Sequence, residues 1–225
     1  GRTNIVWQGF TLDNWKNPCG APQVCESVVN SIVLALVVTT VSTILGAMIA
    51  FALVRYQFRG RGTTNLTIFL PMATPEVVLG SSLLALFLNI FVPLGFWTVF
   101  IAHVMFCISF VVVTVKARLA SLDPRLEQAA MDLYASERET FRKITLPLVA
   151  PGIAAAALLA FSLSFDDVIM SNFNCGQFTT FPKFVYVSAT RGIPAQANVI
   201  ASAMFFIALA IVMVAQIRNL RRKEA

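Results

Sequence analysis

DPRLEQAAMDLYASERETFRKITLPLVAP, residues 123–151, is a polar, helix-forming island between strongly apolar runs. A chain built for lipid keeps so many charges between two spans only where something on that side of the membrane holds them. Read locally, the island is two short helices. Asp123 caps the first, with Pro124 in the first turn, where its missing N–H costs nothing. Ser136 caps the second, and Glu139 three residues on completes a capping box. The join falls at Tyr134-Ala135. Leu146-Pro147 is expected to stop the second helix, and Pro151 to start the next apolar run.

Outward from the island the chain is apolar. Hydrophobic residues make up 57% and charged ones 12%, with a mean hydropathy of +0.76, which argues against a soluble domain. Five stretches, 29–54, 66–91, 94–115, 150–172 and 197–218, each reach the ~20 residues that cross a ~30 Å hydrocarbon layer as a helix. With no water there, each helix must satisfy its own backbone. The expected fold is all-α, a polytopic helical membrane protein.

Of the 17 basic residues, Arg2, Lys16, Lys183 and Arg191 fall on one side. The rest, from Arg55 and Arg118 through Arg142 to the tail of Arg218, Arg221, Arg222 and Lys223, fall on the other. That asymmetry puts the island and the C-terminus in the cytoplasm. The net charge of +6 is therefore a topology signal. Nucleic-acid binding is the weaker reading, because the charge is spread over three loops without a reading motif. The organisation is residues 1–28 outside, a membrane domain over 29–218 holding the 123–147 loop, and a basic tail over 219–225. Nothing in the sequence would translocate 1–28, so one earlier span is expected to be missing. Trp7, Trp15 and Trp97 are placed as interfacial aromatics.

Cys19 and Cys25 share the external segment, as a disulfide or as two thiols. Cys107 reads as packing. The single histidine, His103, lies within a span without a partner at ligand spacing, so a buried, hydrogen-bonded imidazole is expected and no metal site. Small residues recur every four positions as Ser42, Gly46 and Ala50, and as Gly152, Ala156 and Ala160, where helix backbones can approach closely. Pro71 and Pro75 should kink or loosen the second span.

Glu76, Asp166 and Asp167 are the carboxylates inside apparent spans. Glu76 falls near mid-depth of span two, and the aspartates near the outer end of span four. A charge at the bilayer centre costs ~2.5–3.5 kcal/mol on insertion scales. The aspartates also face the negative end of their helix dipole. A cation nearby would offset both penalties, so the three acids, with Trp97, are read as lining a route for a positively charged solute. The alternatives are neutralisation by Lys183 or Arg191, or contact with interfacial water.

At the spacing Gln128-Ala129-Ala130, Tyr134-Ala135 and Ile144-Thr145-Leu146-Pro147, the island resembles the EAA loop of ABC-importer permeases. Nearly the whole chain is similar to PotC-type permeases of spermidine/putrescine importers. The likeness rests on Trp7 to Thr11, Arg55 to Gly60, Leu94 to Trp97, Phe106-Cys107, Phe110 to Val115 and Ser164 to Asp167, with Gly192, Pro194 and Asn198. The resemblance implies a type I importer fold in a bacterial inner membrane. Five spans would lie in this chain, and the family's first helix would be the missing one. It also implies a second homologous permease, an extracytoplasmic polyamine-binding protein and two ATPase subunits carrying ATP and Mg. Gln128, Ala129, Ala130, Tyr134, Ala135, Ile144, Leu146 and Pro147 would dock on the ATPase. No phosphate loop of the form G-x-x-x-x-G-K-[ST] occurs here, so ATP chemistry falls to that partner and the chain is not an enzyme.

Three positions depart from the family. Gln128 replaces the usual acid, leaving a hydrogen bond in place of a charge pair. Ser109 replaces a proline, so a kink in span three is expected to be absent. Tyr134 replaces a glycine; φ > 0 would strain a tyrosine, so a turn of different shape is expected. The same machinery carrying an amino compound, thiamine or iron is the nearest alternative. A secondary transporter or channel predicts repeated halves, which are not seen. Aspartyl proteolysis needs two converging acids rather than adjacent ones.

Overall fold

The computed structural model describes residues 12–190 and 192–224, the side chains only in part beyond residue 210. Arg2, Trp7, Arg191 and the side chains of the basic tail from Arg218 to Lys223 lie outside that description. Among the described residues all regular structure is helical: α1 (Asp13–Lys16), α2 (Val24–Arg55), α3 (Arg61–Ala73), α4 (Glu76–Asn89), α5 (Phe96–Ala120), α6 (Arg125–Asp132) and α7 (Glu137–Thr140). A π-helical turn, Phe141–Thr145, leads into α8 (Leu146–Asp166), followed by α9 (Ile169–Asn174), α10 (Phe181–Ala189) and α11 (Ala195–Glu224).

The chain divides into two compact units, Asn30–Pro182 and the paired segments Gly1–Val29 and Lys183–Ala225. In the paired segments α1 packs on α11, and Cys19 and Cys25 are joined as a disulfide. In the larger unit α5 is the central helix. Val99, Ala102, Val111, Val112 and Val115 on it are buried, as expected of a helix apolar all round. Lipid gives helices no hydrophobic reason to associate, so close backbone approach decides the packing. Gly46 of α2 faces Val111 so closely that a Cβ there would fall 2.6 Å from Val111 Cγ1. Ala156 and Ala160 of α8 are fully buried in the same core. Both four-residue small faces are therefore used, and α5 runs through Ser109 as one helix.

Among the described residues three single helices are long and apolar enough to cross a membrane: Val24–Arg55, Phe96–Ala120 and the continuous run Glu137–Asp166. Two expectations are corrected here. The second span is broken, not merely kinked: α3 and α4 meet at 106°. Pro71 is tolerated inside α3, whereas Pro75 lacks a donor and forces Thr74 into extended backbone (φ −90°, ψ 135°), ending the helix. Leu146-Pro147 does not stop the second island helix. The π turn widens the backbone just ahead of Pro147, with the Leu146 N–H reaching Phe141 O, so the proline sits in the first turn of α8 without interrupting it.

Pro151 also lies inside α8. Around this donor-free turn, Arg118 of α5 donates from Nε (3.1 Å) and Nη2 (2.8 Å) to Leu148 O. The aliphatic stem of Arg118 lies directly on Gly152.

Candidate functional site

At the island, local chemistry matches the pattern expected from sequence. Asp123 Oδ1 accepts the Arg125 N–H at 2.9 Å. Ser136 Oγ accepts the Glu139 N–H at 3.3 Å while Glu139 Oε2 accepts the Ser136 N–H at 3.2 Å, closing the capping box. Helix α6 ends in a Schellman turn: Ala135 N–H reaches Ala130 O and Tyr134 N–H reaches Met131 O. Tyr134 takes φ +64° in that turn. The turn thus keeps the left-handed shape a glycine would supply, contrary to the expectation of a different one, and the tyrosine bears the strain. Its side chain is 99% exposed, beside Leu133 at 82%. A cavity of about 270 Å³ brings Tyr134 and Ala135 together with Ile144. Gln128, Ala129, Leu146 and Pro147 are exposed, and Ala130 is buried.

The residue that ties this island to the membrane helices was not singled out from sequence. Glu127 accepts from Arg55 Nη2 at the end of α2 and from Thr145 Oγ1 (2.6 Å) in the π turn, and Arg55 Nη2 also donates to Thr145 (3.2 Å). Phe141 meets Phe51 edge to face, with the Arg55 guanidinium over both rings. Arg55 and Glu127 are 72 residues apart, so no local spacing reveals the pair. Beneath this joint lies a cavity of about 230 Å³, lined by Arg55, Glu127, Thr145 and apolar residues of α5 and α8.

The second cluster forms at two helix breaks. Glu76 opens α4 directly after the 106° bend, where the positive end of a helix favours a carboxylate. Helix α8 stops at Asp166, and Asp167 adopts extended backbone. The dipole penalty expected for both aspartates therefore does not hold for Asp167. Its Oδ1 accepts the Ser171 N–H (2.8 Å) and its Oδ2 the Met170 N–H (3.4 Å), so it caps the positive end of α9. Asp166 is exposed, whereas the Asp167 side chain is 6% exposed and lies 3.3 Å from His103 Nε2. Helix α4, which Glu76 opens, packs on α9, which Asp167 caps. The three acids chosen from sequence thus share one region. Trp97, 69% exposed, sits at the start of α5 against Phe96 and Phe100.

Helices α4 and α9 hold this region together. Asn174 Nδ2 donates to Gly80 O (3.2 Å) and to Met170 O (3.1 Å), and Thr98 Oγ1 donates to Asn174 O (2.6 Å). A Cβ on Gly80 would fall 3.0 Å from Phe173, so the glycine lets α4 reach α9.

A family model described as "Binding-protein-dependent transport system inner membrane component" matches residues 28–224. The chain belongs to that family. This inner-membrane, multi-pass component is 36% identical over 217 residues to the spermidine/putrescine transport system permease protein PotC of Haemophilus influenzae, covering 96% of this chain and 84% of that one. It is 35% identical over 206 residues to the putrescine transport system permease protein PotI of Escherichia coli, covering 88% and 73%. Among solved structures it is similar to an amino acid ABC transporter crystallised with histidines, with a TM-score of 0.71 at 17% identity, covering 94% of this chain and 100% of that one. The component is homologous to PotC and PotI, and its fold is that of ABC-importer permeases.

Proposed function

We propose that this chain is one membrane half of an ATP-driven polyamine importer. Residues 29–218 form the permease domain, with residues 1–28 outside, and the 123–147 loop and the 219–225 tail in the cytoplasm. It works with a second homologous permease, an extracytoplasmic binding protein and two ATPase subunits that bind ATP and Mg. The observation that carries the polyamine reading is the convergence of Glu76, Asp166 and Asp167 at the breaks of two helices. Three carboxylates in a low-dielectric region repel one another, and a multivalent ammonium cargo relieves that repulsion. Asp166 and Glu76 contact the cargo, Asp167 adds to the field, and Trp97 offers a ring face to the cation. The names of the homologues point the same way.

At the island, Tyr134, Ile144 and the exposed residues around them meet the ATPase. Closure of the nucleotide subunits then shifts the population between inward- and outward-facing states. The test is uptake of radiolabelled spermidine by the assembled transporter. Asp166→Asn and Glu76→Gln should each raise KM by about tenfold or more, the scale of one lost hydrogen bond to a charged group, at unchanged membrane abundance. Uptake with native KM in both variants would end the cation reading.

A further inference from the structure

His103 is 1% exposed and touches three parts of the helix break at once. Its Nδ1 lies 2.9 Å from Ser164 Oγ on α8, and its Nε2 lies 3.2 Å from Ser171 Oγ on α9 and 3.3 Å from Asp167 Oδ1 between them. The hydrogen-bond partner of Nε2 is Ser171 Oγ, and a bare lone pair there would face the Asp167 carboxylate, so Nε2 is the nitrogen that carries the proton. In the neutral ring Nδ1 is then an acceptor, and the Ser164 hydroxyl donates to it.

We infer that His103 is a positioning residue of the cargo route: it fastens Asp167 as the cap of α9, so that of two adjacent aspartates only Asp166 is left to meet the cation. This rests on the cation reading proposed above. Both Asp167 oxygens are turned toward α9, Oδ1 engaged by the Ser171 N–H and the imidazole and Oδ2 by the longer contact to the Met170 N–H, and the side chain is 6% exposed. With its first turn held this way, α9 presents Asn174 to Gly80 and so sets α4, which opens with Glu76. Released from His103, Asp167 would be a buried charge missing a partner and would turn toward the cargo or loosen α9.

The experiment compares His103→Gln with His103→Asn in the transporter assembled with its partner subunits, measuring radiolabelled putrescine and spermidine uptake. The glutamine amide reaches the place of Nε2, whereas the asparagine amide stops at that of Nδ1. Both are polar and smaller than imidazole, and a role in packing alone would show as lost membrane abundance and thermal stability, larger for the shorter asparagine, with KM unchanged. The expected result is a KM within about twofold of native for His103→Gln and a rise of about tenfold for His103→Asn. Maximal rate and membrane abundance should be equal in the two. Equal KM values in the two variants would overturn the inference, as would failure of both to reach the membrane, which would make His103 a folding residue. Asp166→Asn is measured alongside. If it transports with native KM, the cation reading falls and the inference with it; if it is impaired while the two His103 variants match, only the inference falls.

Discussion

Gly152→Ala tests the contact that joins the central helix α5 to α8. A Cβ at position 152 would lie 2.5 Å from Arg118 Cγ and 2.7 Å from Arg118 Cβ. Ordinary carbon–carbon contact is at about 3.5–4.0 Å, so the two must separate by roughly an ångström. These atoms are at the root of the arginine, and rotating its tip does not relieve the clash. If the side chain swings aside, the two donations to Leu148 O are lost, a charged hydrogen-bonded contact of about 1.5–3 kcal/mol. If α5 and α8 spread instead, overpacking costs about 1–3 kcal/mol. Both routes give a destabilisation of about 2 kcal/mol, or roughly 4–8 °C in Tm for a chain of this length.

Thermal unfolding of the detergent-solubilised protein reads this directly, and a double-mutant cycle identifies the cause. Arg118→Ala alone should cost about the same, because it removes both side-chain donations to Leu148 O. Adding Gly152→Ala to it should cost little more, since the methyl then has room, giving a coupling energy of about 2 kcal/mol. Additive losses, or a Gly152→Ala protein melting within a degree of native, would refute the reasoning.

Two further substitutions separate stability from coupling. Tyr134→Gly removes a left-handed strain of about 1–2 kcal/mol, less roughly 0.5–1 kcal/mol for the greater freedom of the unfolded glycine. The island should gain slightly in hydrogen-exchange protection while substrate-stimulated ATPase activity of the assembled transporter falls about tenfold, and undiminished activity would refute the docking role. Glu127→Gln removes the charge from a pair about one-third exposed, so its thermal cost should stay below about 1 kcal/mol. Its effect should appear as fewer solute molecules imported per ATP hydrolysed, measured by paired uptake and phosphate-release assays.

What could be read ahead of the structure was whatever depends on short-range chemistry. The Ser136–Glu139 box, the Asp123 cap, the position (though not the shape) of the turn at Tyr134 and both small-residue faces each need only a few neighbouring residues. The two misjudged prolines show where that reasoning stops. Pro147 is accommodated by a π turn whose widening no spacing rule signals, and Pro75 breaks its helix outright because Thr74 has an extended alternative. The acids were legible as a set, since carboxylates in apolar runs stand out. Their division of labour was not, because it depends on His103 arriving from α5, more than sixty residues away in sequence. Glu127 was hidden for the same reason: its partner Arg55 is brought to it only by the fold.

The unbroken run from Glu137 to Asp166 is 30 residues, about 45 Å at the rise of an α-helix, and Arg118 grips it at Gly152, close to its midpoint. A rod held at its middle is a seesaw with nearly equal arms of about 22 Å. Rotation about that fulcrum moves the carboxylate tip as far as the island tip and in the opposite direction. A tilt of roughly 5° displaces each end by about 2 Å, enough to open or close the ammonium contact proposed for Asp166.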